Sequence, residues 1–278
     1  MSERLTTKEV LTFTPKGSIV PLVTPYDELD PLKIDREGLA NLINFQIRGR
    51  TNGIFILGTT GEFRTLGINQ KKEIIQIGVD TAQKRVPMVV GVSARNIDEI
   101  VALTRFSQDS GADGVVIAPL YGDGDTSEKF AAVCQTTELP IMLYNNPAIH
   151  DNLSLTPDFL DQFPKITNLV GIKDSSGDLG VFSSWLERKS PNFQIITGTY
   201  KCLAECKDKG VSGWVLAEAN VYPEKFSMSN LMPDGINFDA AAVGGLREIC
   251  GQGPDFVKIK RQIFEMGIIK SPLLFPEN

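Results

Sequence analysis

Three short stretches carry residues whose types suit amine catalysis on a carbonyl. In the first, the apolar run Leu169-Val170-Gly171-Ile172 ends on Lys173, followed by Asp174 and the small polar residues Ser175, Ser176 and Gly177. Lysine is rarely buried unless it is paired or working, and one at the end of a core strand is a candidate amine nucleophile. The plainer alternative is a lysine that pairs with Asp174 or Asp178, or extends to water. In the second stretch the run 139–144 ends on Tyr144, followed by Asn145-Asn146-Pro147. A phenol beside an amine can move a proton if its site lowers its pKa; otherwise it is a core tyrosine bonded to backbone. The third is Gly58-Thr59-Thr60-Gly61-Glu62. Its two hydroxyls and converging backbone N–H groups suit a carboxylate, although a bare turn with left-handed glycines would read the same way. Glu62 reads as a structural hydrogen-bonding residue rather than a catalyst. Tyr121 alone carries almost no signal.

Together the three support one chemistry. Lys173 attacks a ketone and forms a Schiff base, for which desolvation must keep the amine neutral part of the time. The protonated imine is an electron sink, so a neighbouring C–C bond can break or form while Tyr144 moves the proton. The chain has no pair of carboxylates at acid/base spacing among these residues and no cluster suited to a metal. Cys134, Cys202, Cys206 and Cys250 contain no CxxC pair, and His150 is the single histidine, so a zinc site lacks its usual ligands. No metal and no cofactor are expected. The net charge of -6, with both signs scattered and no basic run, argues against nucleic acid. No apolar stretch approaches the ~18–20 residues of a membrane span. Residues 1–16 lack the apolar core of a secretion signal, so a reducing cytoplasm is the expected location.

These residues need a scaffold that brings strand ends together. Short apolar runs at 17–25, 53–58, 86–92, 114–118, 139–144, 169–173, 193–197 and 213–217 read as eight strands. Helical segments follow them. Asp35, Asn69, Asn96 and Thr156 are the expected helix caps, Gly111 closes the third helix, and residues 127–134 and 181–186 lie in two others. Another ends near Gly210. Eight βα units of roughly 20–35 residues predict an α/β fold of the (β/α)8 TIM-barrel type, whose active site lies at the C-terminal ends of the strands. An open doubly wound sheet is the alternative, but the turn Thr24-Pro25-Tyr26-Asp27 lacks the glycines of a phosphate loop. The expectation is one domain over 1–278, with the barrel over 17–220 and a helical extension over 221–278, broken near Pro233 and Gly253.

The motifs Gly58-Thr59-Thr60-Gly61-Glu62, Tyr144-Asn145-Asn146-Pro147 and Gly171-Ile172-Lys173-Asp174, in this order and spacing, resemble the dihydrodipicolinate synthase / N-acetylneuraminate lyase family of class I pyruvate-dependent aldolases. The likeness runs from about Ile19 to Asn220, and more loosely to Ile259-Lys260 and Met266-Gly267-Ile268. It implies a Schiff base between Lys173 and pyruvate or another 2-oxo acid, with Tyr144 transferring the proton. It implies that Gly58, Thr59 and Thr60 hold the carboxylate, with Thr59 also in the proton relay. By the same likeness Tyr121 is lent to a neighbouring subunit's site, the Val215 carbonyl faces the pocket, and the protein is a homotetramer.

The departures from the family pattern narrow the activity. Ile149 stands where lysine-pathway synthases carry the arginine that binds the aldehyde's carboxylate, Leu120 stands for a second tyrosine, and Phe63 follows Glu62 in place of serine. Without that arginine an anionic amino-aldehyde loses a charge-assisted contact. These changes favour an aldolase that cleaves a 2-oxo-3-deoxy sugar acid, or a related 4-hydroxy-2-oxo acid, to pyruvate and an aldehyde. The synthase is the alternative, and a non-catalytic 2-oxo-acid-binding paralogue is a third reading. Asp123, Asp125, His150 and Glu218 are loop residues that could meet sugar hydroxyls.

Overall fold

The computed structural model describes residues 13–164 and 166–274; the N-terminal leader apart from residues 13–16, and the last four residues, lie outside them. Eight parallel strands close into a barrel in sequence order, β1 (Gly17–Pro21), β2 (Gly53–Ile56), β3 (Met88–Gly91), β4 (Gly114–Ile117), β5 (Ile141–Asn145), β6 (Leu169–Asp174), β7 (Gln194–Thr197) and β8 (Gly213–Trp214). Helices α1 (Arg36–Arg48), α2 (Ile68–Ala82), α3 (Ile97–Ser110), α4 (Thr126–Thr136), α5 (Leu179–Leu186) and α6 (Tyr200–Cys206) occupy the crossovers. The extension adds α7 (Pro223–Phe226), α8 (Met228–Leu231), α9 (Ala240–Gly245), α10 (Arg247–Cys250) and α11 (Phe256–Glu265). The expected breaks near Pro233 and Gly253 fall between α8 and α9 and between α10 and α11.

Alternation along each strand divides the core in two. One set of side chains, including Ile19, Phe55, Val89, Val116, Met142, Tyr144 and Ile196, packs inside the barrel. The larger set lies between the strands and the helices, and it takes in Leu231, Val243, Cys250, Ile259 and Ile263 of the extension. This arrangement fixes the site's geometry: Met142 and Tyr144 face inward from β5, so Leu143 and Asn145 face the helices.

Asp35, Asn96 and Gly111 cap α1 and α3 as expected. Three expectations are corrected. Asn69 lies inside the first turn of α2; Gly67 is the cap, and the Gln70 side chain reaches back to accept its N–H at 2.9 Å. Thr156 makes no cap bond, and between β5 and β6 the chain forms only a 3-10 turn, Pro157–Gln162. Pro164 disfavours helical geometry at Phe163 and so ends the turn there; Phe159 and Phe163 still pack on Phe130 of α4. The first and last strands are shorter than predicted. β1 stops at Pro21, which has no N–H to give its neighbour. After Val215 the chain leaves the sheet for a 3-10 turn, Ala217–Asn220, which the Asn220 side chain ties to the Pro21 carbonyl at 2.7 Å.

Candidate active site

Lys173 is only 4% exposed and points into the barrel from β6. It is the register partner of Tyr144 on β5. Its Nζ lies 3.9 Å from the centre of the Tyr144 ring and 5.2 Å from that of Phe55. The plainer reading of this lysine fails on geometry. Asp174 points the opposite way, accepts from Asn145 Nδ2 and Ser176 Oγ, each at 2.6 Å, and is fully buried among them. Asp178 caps α5 by accepting from Gly180 and Val181. Neither carboxylate pairs with the amine.

The Tyr144 hydroxyl sits 3.2 Å from Thr59 Oγ1 and accepts from Asn146 Nδ2 at 2.8 Å. Burial alone would raise the phenol's pKa. The charge on Lys173 and hydrogen bonds from Thr59, Ser175 and Lys173 more than offset it, so the phenol lies below its ordinary value. A phenol held this way beside an amine is suited to give and take a proton.

Thr59 begins a 3-10 turn, Thr59–Gly61, after β2. Gly61 N–H bonds to the Gly58 carbonyl, whereas the first amides of such a turn have no partner within it. Thr59 and Thr60 both line a cavity of about 530 Å³ at the strand ends, together with Tyr144, Lys173, Ser175 and Val215. The expected left-handed glycines are not found. The positive φ values belong to Leu57 and Glu62, both 58°. Gly58 and Gly61 instead admit close neighbours: an added Cβ would come within 2.7 Å of the Phe55 ring and 2.9 Å of the Leu22 carbonyl. Glu62 turns away from the cavity to pair with Lys260 of α11 at 2.5 Å.

Four expected loop contacts separate in the structure. Glu218 lines the cavity and is 7% exposed; burial raises its carboxyl pKa, and the Cys250 thiol is its hydrogen-bond partner. Asp125 is spent as the cap of α4, and neither it nor Asp123 lines the cavity. His150 is also absent from the lining; it is 5% exposed, and burial lowers its pKa to about 4. Tyr121 is not brought to Lys173 either. Its ring packs on Phe63 at 5.0 Å and on His150 at 6.3 Å. Ile149, in the position where an arginine would mark a synthase, does line the cavity.

Several lining residues escaped the sequence reading. Ser175 shares the inward face with Lys173 two residues earlier, and the strand period was a signal for it. Gly198 at the end of β7 makes room for both: an added Cβ would lie 1.9 Å from Ser175 Oγ and 3.0 Å from Lys173 Cε. The wall from Cys250 to Phe256 comes from the extension and had no local signal. Lys201 is the other cation of the lining, and its Nζ donates to the Gly177 carbonyl at 3.1 Å.

Comparison with known proteins gives a consistent likeness. The model of the dihydrodipicolinate synthetase family matches residues 14–275. The 4-hydroxy-tetrahydrodipicolinate synthase of Pseudomonas aeruginosa is 30% identical over 273 residues, 94% of this chain and 91% of that protein. The dihydrodipicolinate synthase structure from Bacteroides thetaiotaomicron superposes with a TM-score of 0.83 at 30% identity, covering 96% of this chain and 94% of that one. A chloride-inhibited dihydrodipicolinate synthase from Acinetobacter baumannii, complexed with pyruvate, gives 0.81 at 28% identity, covering 95% and 92%.

Proposed function

The chain belongs to the dihydrodipicolinate synthetase family, whose members make and break carbon–carbon bonds as lyases, and from that premise we propose that it is a Schiff-base aldolase cleaving a 2-oxo-3-deoxy sugar acid, or a related 4-hydroxy-2-oxo acid, to pyruvate and an aldehyde. The observation that carries the mechanism is the buried Lys173 amine 3.9 Å above the Tyr144 ring, with the Tyr144 hydroxyl 3.2 Å from Thr59. Lys173 adds to the C2 carbonyl and water leaves, giving a protonated imine. Tyr144 takes the proton from the C4 hydroxyl, the C3–C4 bond breaks, and its electron pair flows into the iminium as an enamine. The aldehyde departs, C3 is protonated, and water releases pyruvate from Lys173. Thr59, Thr60 and the turn that Gly58 opens bind the carboxylate, and the carbonyl of Val215, which lines the cavity, faces the pocket. Tyr121 acts only across a subunit contact, as a homotetramer would provide. We read the location as cytoplasmic, in keeping with four unpaired cysteines.

Ile149 and the buried Glu218 in the cavity support the sugar-acid reading over the synthase. An aliphatic side chain and an acid are poor receivers of a second carboxylate but suit hydroxyls. The synthase remains the second reading. It is favoured by the names of the relatives and by Lys201, the other cation lining the cavity, which could meet a second carboxylate. Borohydride reduction with pyruvate, read by peptide mass, is expected to leave an adduct on Lys173; absence of the adduct would sink the mechanism. Turnover of 2-oxo-3-deoxy hexonates or pentonates, reduced in Glu218→Gln, is expected in place of condensation with the anionic amino-aldehyde. The reverse preference would establish the synthase.

A further inference from the structure

Among the described residues no other ion pair is as deeply buried as Glu62–Lys260: the Lys260 side chain is wholly buried and that of Glu62 is 13% exposed. It joins α11 to the turn after β2. Lys260 Nζ lies 2.5 Å from Glu62 Oε1, donates to the Leu273 carbonyl at 2.8 Å, and sits 4.2 Å from the centre of the Tyr26 ring. Three separate segments therefore meet at one ammonium: the loop after β1, the turn after β2, and the chain beyond α11. Burial lowers the Lys260 pKa to about 8 against the opposing pull of Glu62, as expected for a charge kept out of water by its partner.

The turn held by this pair is under conformational load. Leu57 and Glu62, immediately before and after the Gly58–Gly61 stretch, both have φ 58°. That is a left-handed conformation non-glycine residues disfavour, and it persists where surrounding contacts over-determine it. On one side Thr24 Oγ1 donates to the Gly61 carbonyl at 2.7 Å. On the other, the Glu62 side chain is anchored to Lys260. Between these two ties lie Thr59, whose Oγ1 meets Tyr144, and Thr60, both facing the cavity.

We propose that Lys260 is a positioning residue: by anchoring Glu62 it holds the Thr59–Thr60 turn in the geometry that receives the substrate carboxylate, so the C-terminal extension takes part in building the 2-oxo acid site. The inference rests on the Schiff-base reading above. A merely structural lysine would affect stability and leave substrate affinity alone, so the discriminating quantity is the pyruvate concentration that half-saturates borohydride trapping on Lys173. Lys260→Met removes the ammonium that Glu62 meets, Glu62→Gln weakens the anchor with little change of shape, and Glu62→Gln/Lys260→Met removes both charges. In each variant the half-saturating pyruvate is expected to rise about tenfold, while the trapping rate at saturation stays within about threefold, because displacement of a binding turn acts on capture before it acts on the amine. Folded variants with unchanged half-saturation would overturn the positioning role. If Lys260→Met cannot be obtained folded, Glu62→Gln carries the same expectation and the same refutation. An adduct in the unaltered protein with no change in the variants refutes this inference alone; no adduct in the unaltered protein overturns it together with the aldolase reading.

Discussion

Replacing Tyr144 by Phe isolates one hydroxyl. The ring stays, and with it the 3.9 Å approach of Lys173 Nζ and the edge contact with Phe55. What disappears is the oxygen that meets Thr59 Oγ1 at 3.2 Å and accepts from Asn146 Nδ2 at 2.8 Å. A positioned acid/base group contributes about 10²–10⁴ in rate, which is roughly 3–5.5 kcal/mol of barrier, so kcat is expected to fall by that factor. Folding should suffer far less. Asn146 keeps a buried donor without its acceptor, a loss of about 1–2 kcal/mol, or roughly 2–8 °C in Tm for a chain of this size. Borohydride trapping of pyruvate on Lys173 should persist, more slowly, because the amine is untouched. The pH profile gives an independent check. The depressed phenol pKa places an ionisation in the unaltered enzyme below the ordinary tyrosine range, and that limb should vanish in the variant. Steady-state aldehyde release, single-turnover trapping and thermal melts separate the three quantities. Turnover within about threefold of the unaltered enzyme would remove Tyr144 from the proton relay and refute the reasoning.

Two further outcomes follow from the same packing. Gly198→Ala forces a Cβ to within 1.9 Å of Ser175 Oγ and 3.0 Å of Lys173 Cε; adduct formation should drop by about tenfold or more with circular dichroism unchanged, and trapping at the ordinary rate would show that Lys173 does not need this space. His150 titrates near 4 when folded against 6.5 unfolded, so its neutral form stabilises the protein above pH 6.5 and that stability is lost as pH falls through 4. Between those values the unaltered protein should lose up to roughly 3 kcal/mol that His150→Phe retains, as read by urea denaturation; parallel pH profiles for the two proteins would refute the assignment.

Much of the site was legible because strand ends write themselves locally. A short apolar run followed by Lys173, and another by Tyr144, is enough to place both at the mouth of a parallel barrel, and the two-residue period puts their side chains on the inner face. The caps Asp35 and Asn96 read equally well, since a side-chain oxygen serves amides two or three residues away. Where local rules compete, the winner depends on which side chain reaches the amide first. Gln70 reached back to make Gly67 the cap in place of Asn69, and Pro164 stopped what the spacing of Phe159 and Phe163 promised as a helix.

The sequence by itself determined that Lys173, Tyr144 and the Thr59–Thr60 turn stand at strand ends, because each placement depends on residues adjacent in the chain. It did not determine which of Asp123, Asp125, His150 and Glu218 faces the cavity, because that depends on how loops from different strands close over the barrel. Nor could it join Glu62 to Lys260, 198 positions further on, or Glu218 to Cys250. A buried charge is tolerated only where a partner meets it, and for these residues the partner lies on an element that only the closed barrel and its packed extension bring within reach.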